Sequence, residues 1–310
     1  MATKIDLANW MQNLPVHLHS IPVKQLALPG SHDSGAFYLD KNSNIAPGEG
    51  KTIKFLAKVF GKYVKNIIYK WSITQDLSFS QQLQNGIRYL DLRVAYVPKT
   101  NDFNVVHGLY GSSYTAVFEE INYFLDSHPK EIVLLDFNHL FNFTKDAQVL
   151  FVSQIMKSFG KKLYGPGKLG TESSINDIWS KSQQVIALYA DSDMVKENLL
   201  LWSQAHIYSP WFNTPKVDTL IKDLDKRFDD LKEESYNVFQ AILTPATSTI
   251  VLHWIKGSLK TTLAESCDEL VCSWLQKIAD KKKKGVNIVM CDFIGFRTMV
   301  EKTIGLNYIA

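Results

Sequence analysis

Eight short apolar runs, rich in β-branched residues, recur along the chain with helix-patterned stretches between most of them. They are "KQLALPG" (24–30), "GIRYLDLRVAY" (86–96), "FNVVHG" (103–108), "EIVLLDF" (131–137), "QVIALYA" (184–190), "HIYSPW" (206–211), "VFQAILTP" (238–245) and "GVNIVMCDF" (285–293). Runs with so little polar interruption suit strands covered on both faces, as in parallel sheets. The intervening stretches carry helical periodicity, as in "TAVFEEINYFLDSH" (115–128). In 217–231, Val217, Leu220, Ile221, Leu224, Phe228 and Leu231 fall on one helical face. Eight strands alternating with helices predict an α/β fold, a TIM-like (β/α)8 barrel. An open doubly wound sheet is the alternative. No repeat, low-complexity tract or linker divides the 310 residues, so a single domain over 1–310 is expected.

Composition narrows the class of function. Hydrophobic residues make up 45% and charged residues 21%, as in ordinary globular domains. A formal net charge of +3 is too small to argue for nucleic acid. Cys267, Cys272 and Cys291 form an odd, sparse set without zinc-site spacing, which predicts reduced thiols and a cytoplasmic location. The opening "MATKIDLANWMQNL" contains Asp6 and lacks the apolar core of a secretory signal. No window approaches the ~18 uninterrupted apolar residues of a spanning helix. Membrane contact, if made, is expected to be peripheral.

A barrel places its chemistry at the carboxyl ends of its strands. The polar residues that break the apolar runs are therefore the candidates: His32 in "LALPGSHDSGAF", Asp91 and Arg93 in "YLDLRV", His107, Asp136 and Asp292. In a closed barrel the first and last strands are neighbours, so His32 and Asp292 meet across the whole chain. His107 then faces His32 across one strand. Histidine is the natural acid or base near neutral pH. Two of them suit a phosphodiester: one deprotonates an attacking hydroxyl, the other protonates the leaving oxygen. Asp91 and Arg93 are two apart and share one side of a strand. Arg93 either pairs with Asp91 or neutralises a phosphoryl oxygen. Asp292 is placed to fix the His32 tautomer. Asp33 orients His107 or Arg93, or merely shapes the turn.

These residues, in this order, carry a resemblance. "LALPGSHDSGAF", "QDLSFSQQLQNGIRYLDLRVAY", "VVHGLYGSS", "EIVLLDFNHL", "SPWFNT", "QAILTP" and "GVNIVMCDF" together resemble the small proteins whose one domain is a phosphatidylinositol-specific phospholipase C X domain. The motifs run from residue 24 to about 293. The resemblance implies a distorted TIM-like barrel that cleaves phosphatidylinositol-type lipids to diacylglycerol and an inositol cyclic phosphate. It implies His32 as base on the inositol 2-hydroxyl and His107 as acid for the diacylglycerol oxygen. Arg93 would bind the phosphate, Asp292 would pair with His32, and Asp33 would support the acid side. Beside what the resemblance implies, Asp91 and Asp136 are candidates for substrate binding, and Trp211 either lines the headgroup site or packs in the core.

The large eukaryotic relatives place a calcium-binding acid where this chain has Arg93. No metal or other cofactor is expected, because a guanidinium and a metal would compete for one space. Relatives also carry a charged substrate contact near Phe137, and the register does not decide which of Asp136, Asn138 or His139 replaces it. Two other functions compete: a silent phosphoinositide-binding adaptor on the same fold, and a glycerophosphodiester phosphodiesterase. The latter expects metal-binding carboxylates where "DLRV" stands.

A lipid substrate requires a surface that meets a bilayer. In 51–71, Leu56, Val59, Phe60, Tyr63, Val64, Ile67 and Ile68 make one helical stripe, and Lys54, Lys58, Lys62 and Lys65 make another. A basic amphipathic helix suits an anionic membrane interface. The same stripe would equally suit packing on the barrel. "KKKK" at 281–284 precedes the last strand and is expected at the opposite end of the barrel.

Overall fold

A computed structural model describes residues 5–48, 58 and 61–309. Ten strands form one sheet. They are β1 (Leu28–Ser31), β2 (Tyr89–Val97), β3 (Asp102–His107), β4 (Leu109–Ser113), β5 (Val133–Phe141), β6 (Val185–Tyr189), β7 (Leu201–Ser203), β8 (Ile207–Tyr208), β9 (Tyr236–Gln240) and β10 (Ile288–Cys291). Eight of them lie in the order β7-β6-β5-β2-β1-β10-β9-β8, every pair parallel. This is a barrel hydrogen-bonded around its circumference except between β7 and β8.

The expected strand count was right for a partly wrong set of strands. The run at 103–108 is β3, which is not a barrel stave. It pairs antiparallel with β2 and β4 and stands off the barrel path. Its apolar pattern is genuine, since Phe103, Val105 and Val106 are buried, but a neighbour two residues away closes a hairpin instead of a crossover. The missing stave is β7, whose three residues "LWS" give too short a signal for periodicity. The first strand also begins later than expected, because 23–25 forms a 3-10 turn.

Between β5 and the helices Tyr114–Ser127 and Lys145–Phe159 the core is aromatic: Phe137 packs edge to face on Phe118 and Phe151, and Tyr114 edge to face on Phe151. The amino-terminal end of the barrel is closed by an ion pair, Arg88 with Glu131, both wholly buried. The pair also holds the chain's first turns. Arg88 donates to the carbonyls of Leu7 and Ala8, and Glu131 accepts from the amides of Met11 and Gln12. Arg88 Nη1 donates to the Leu83 and Ile87 carbonyls, so every guanidinium nitrogen is bonded, which is the condition for a buried charge pair to be tolerated.

Candidate active site

His32 is the first residue past β1, and its amide donates to the Cys291 carbonyl at 3.0 Å as the last bond of the β1–β10 ladder. That register places His32 beside Asp292. The His32 Nδ1–H donates to Asp292 Oδ1 at 2.7 Å. The other ring nitrogen, Nε2, lies 3.3 Å from Asp33 Oδ2 and 4.0 Å from Asp91 Oδ2. Asp33 adopts φ +39°, a left-handed conformation uncommon for a residue with a side chain. That twist turns its carboxylate back into the site. Arg93 Nε forms an ion pair with Asp33 Oδ1, and Arg93 Nη2 sits 3.5 Å from His32 Nε2.

His107 ends β3, and its hairpin delivers it from outside the barrel. Gly108 makes this possible: it has φ +68°, and a Cβ there would strike the Ser72 hydroxyl. The backbone can therefore press against the helix Lys62–Ser72, where His107 Nδ1–H donates to the Ser72 carbonyl at 2.7 Å. A carbonyl only accepts, so this bond fixes the tautomer. His107 Nε2 then points inward, 3.2 Å from Asp33 Oδ2. One carboxylate oxygen thus touches both imidazoles, whose centroids are 6.3 Å apart.

The charges are strongly biased. Burial pulls the His32 imidazolium down, but Asp33, Asp292 and Asp91 together outweigh it and push the ring up to about 9. Burial pulls His107 down as well, and Arg93 adds to that against the opposing pull of Asp33. Asp33 is held below the ordinary carboxylate range, because Arg93 and the two imidazoles overcome its burial.

Below this layer lies a polar floor. Asp91 Oδ2 accepts from the Asp33 amide at 2.8 Å, and Asp91 Oδ1 from Asn138 Nδ2 at 2.6 Å. Asp136 is buried and takes hydrogen bonds from Tyr89, Gln204 and Asn138. Burial pushes its carboxyl up to about 6. Phe137 faces the other way, wholly buried in the aromatic cluster, so Asn138 and His139 are the β5 residues beside the site. His139 pairs in register with Arg93, and burial and that guanidinium pull its imidazolium down.

Of the expected site residues, His32, Asp33, Asp91, Arg93, His107 and Asp292 converge, with Asp136 in the floor beneath them. Trp211 is exposed on the surface, its indole donating to Thr244 Oγ1 at 2.9 Å. Sequence reasoning left Asn138 as one of three undecided candidates and missed Tyr89 and the segment Ser72–Gln75. The polar "TQD" after an apolar helix was the available signal for the last. His32, Asp33 and Asp91 offer ligand atoms within 4.8 Å of one another, enough for a small cation. Arg93, bonded to Asp33 and beside His32, already brings a positive charge into that space.

On the loop side, Lys62 and Tyr63 are exposed, Tyr63 by 80%. Lys58 is exposed too, whereas Lys54, Leu56, Val59 and Phe60 lie outside the described residues. Lys65 is turned back onto the Ser43 carbonyl at 2.6 Å. Ile67 and Ile68 pack on the body of the protein. Among the described residues of the stripe, Ile67 and Ile68 serve packing and Tyr63 faces solvent.

Among solved structures, the phosphatidylinositol-specific phospholipase C from Listeria monocytogenes superposes with a TM-score of 0.70 at 19% identity, over 97% of this chain and 99% of that one. The corresponding Staphylococcus aureus protein gives 0.66 at 17% identity, over 97% and 98%. The fold is thus the α/β barrel of phosphatidylinositol-specific phospholipases C. A family model, "Phosphatidylinositol-specific phospholipase C, X domain", matches residues 62–186. Human PI-PLC X domain-containing protein 3 is 35% identical over 309 residues, spanning 99% of this chain and 95% of that protein. Human PI-PLC X domain-containing protein 2 is 39% identical over 268 residues, 86% of each. The chain belongs to the family of PI-PLC X domain-containing proteins.

Proposed function

We propose that the protein is a metal-independent phosphodiesterase that cleaves phosphatidylinositol-type lipids to diacylglycerol and an inositol cyclic phosphate. The observation that carries this reading is the placement of both Nε2 atoms, 3.3 and 3.2 Å from one Asp33 oxygen, with Arg93 on the other oxygen of that carboxylate. A phosphodiester placed over Arg93 meets an imidazole on each side. His32 Nε2 takes the proton of the inositol 2-hydroxyl as its oxygen attacks phosphorus. His107 Nε2–H gives its proton to the diacylglycerol oxygen as the P–O bond breaks. Arg93 stabilises the charge on the phosphoryl oxygens, the part a metal plays elsewhere. Asp292 orients His32 and the Ser72 carbonyl orients His107.

Asp33, Asp292 and Asp91 favour the protonated form of His32, whereas burial and Arg93 disfavour a proton on His107. The reaction needs the opposite arrangement. A phosphate that engages Arg93 relieves the guanidinium's pull on His107 and frees Asp33 to support it as a cation. Asp33 Oδ2, beside both rings, supports the cation on whichever of them holds the proton.

The substrate is met at an anionic membrane surface. The helix Thr247–His253 follows β9 at the catalytic end of the barrel, and Val251, Leu252, Trp254 and Ile255 are exposed there, Leu252 by 78%. Lys70 donates to the Ile255 carbonyl at 3.0 Å, joining this apolar tip to the helix that carries Lys62 and Tyr63. Apolar tip and lysines together suit a peripheral interface. Among the described residues no helix is long and apolar enough to cross a membrane.

The test is headgroup release from phosphatidylinositol vesicles with chelator present. Release by the wild type, abolished in both His32→Ala and His107→Ala, is expected. Vesicle binding without turnover would favour the adaptor. Turnover only with added divalent metal would overturn the role of Arg93.

A further inference from the structure

We propose that Gln75 is a positioning residue that holds the His32–Asp292 pair in register, a role that rests on the reaction proposed above. The β1–β10 ladder ends just before this pair. Beyond it the two chains part, His32 leading into Asp33 at φ +39° and Asp292 into Phe293 at φ +51°. Neither strand fixes the separation of the two side chains. A third segment does so. The Gln75 amide nitrogen donates to the His32 carbonyl at 2.9 Å and to the Cys291 carbonyl at 3.1 Å, while its oxygen accepts from the Ile294 amide at 3.2 Å. Both donor hydrogens and the acceptor of the side chain are therefore in use. Gln75 is wholly buried.

Its neighbour extends the clamp. Thr74 Oγ1 donates to the Asp33 carbonyl at 3.0 Å, and the Thr74 carbonyl accepts from the Phe293 amide at 2.7 Å. Two residues earlier in the same segment, the Ser72 carbonyl holds His107. Ser72, Thr74 and Gln75 thus set the backbone beneath both imidazoles and both flanks of Asp292. Gln75 contacts backbone groups and neither ring, so it acts through His32 and Asp292.

Gln82 provides the control. It is equally buried and donates to the Ser34 and Leu77 carbonyls, both at 2.8 Å, where Gln75 donates to those of His32 and Cys291. Gln75→Met and Gln82→Met each remove a buried clamp of the same kind. The readout is the low-field proton resonance of His32 Nδ1–H bonded to Asp292, assigned by its disappearance in His32→Ala. Gln75→Met is expected to lose or shift this resonance and to lower kcat/KM on the order of 10- to 100-fold, through kcat with KM little changed. Gln82→Met is expected to keep the resonance. If Gln75→Met does not fold, Gln75→Asn, which keeps the amide one methylene short, carries the same comparison. An unchanged resonance in the folded Gln75 variant, or equal loss in both variants, overturns the proposal. The resonance is read without substrate, so a wild type without turnover refutes the phosphodiesterase reading and leaves the clamp decided on its own.

Discussion

Replacing Asp292 by Asn isolates the charge that holds His32. Burial alone would depress the His32 imidazolium, yet Asp33, Asp292 and Asp91 leave it raised from 6.5 to about 9. At about 1.4 kcal/mol per pH unit, the folded site favours the protonated ring by roughly 3 kcal/mol. This ring is only 14% exposed, so little of that is lost to solvent screening. Because the folded value lies above the unfolded one, the contribution is complete below pH 6.5 and disappears as pH rises through about 9. Asn keeps the size of Asp292 and removes its charge. A hydrogen bond to a charged group contributes about 1.5–3 kcal/mol, so about half or more of the pH-dependent stabilisation should vanish. Urea unfolding of both proteins at pH about 6 and about 10 measures it, since titrations common to both cancel in the difference. The wild type should be the more stable at low pH, and its advantage should shrink by about 1.5–3 kcal/mol at high pH. An advantage that stays constant, or grows, would refute the assignment of the His32 charge to Asp292.

The pH dependence of kcat/KM should be bell-shaped, with its alkaline limb at about 9 set by His32 and its acid limb set by the lowered His107; Asp292→Asn should move the alkaline limb toward neutrality. Arg93→Lys keeps the charge and loses the fork, so turnover should fall on the order of 100-fold or more with the circular dichroism spectrum unchanged. At the far end of the barrel, Glu131→Gln leaves Arg88 buried without its counter-charge and should cost about 3–5 kcal/mol in urea unfolding. Sedimentation with anionic vesicles should weaken several-fold for Leu252→Ser combined with Trp254→Ser, while turnover of a soluble inositol phosphodiester is retained.

Much of the site was legible because a parallel barrel converts strand order into proximity. His32 and Asp292 were expected together from the adjacency of first and last strands, and the structure places their side chains 2.7 Å apart. Geometry brings Asp33 to both His107 and Arg93, where the sequence left the partner open. That outcome depends on a backbone twist at Asp33 which no side-chain pattern encodes. His107 was expected on a barrel strand and arrives on a hairpin, since a buried hairpin strand and a buried stave have the same composition. The partner of the Trp211 indole, Thr244, lies 33 residues on, and no local pattern announces it. The apolar tip at 250–255 escaped notice because "TIVLHWI" reads as ordinary core until its exposure is seen.

The central claim is acid–base cleavage of a phosphodiester by two imidazoles. Phosphorus NMR of phosphatidylinositol in mixed micelles, with chelator present, tests it most directly. The reading predicts that an inositol cyclic phosphate resonance grows as the lipid phosphodiester declines, and that it is absent with His32→Ala and with His107→Ala. A lipid signal unchanged by the wild type, or the same cyclic product from either variant, would contradict it.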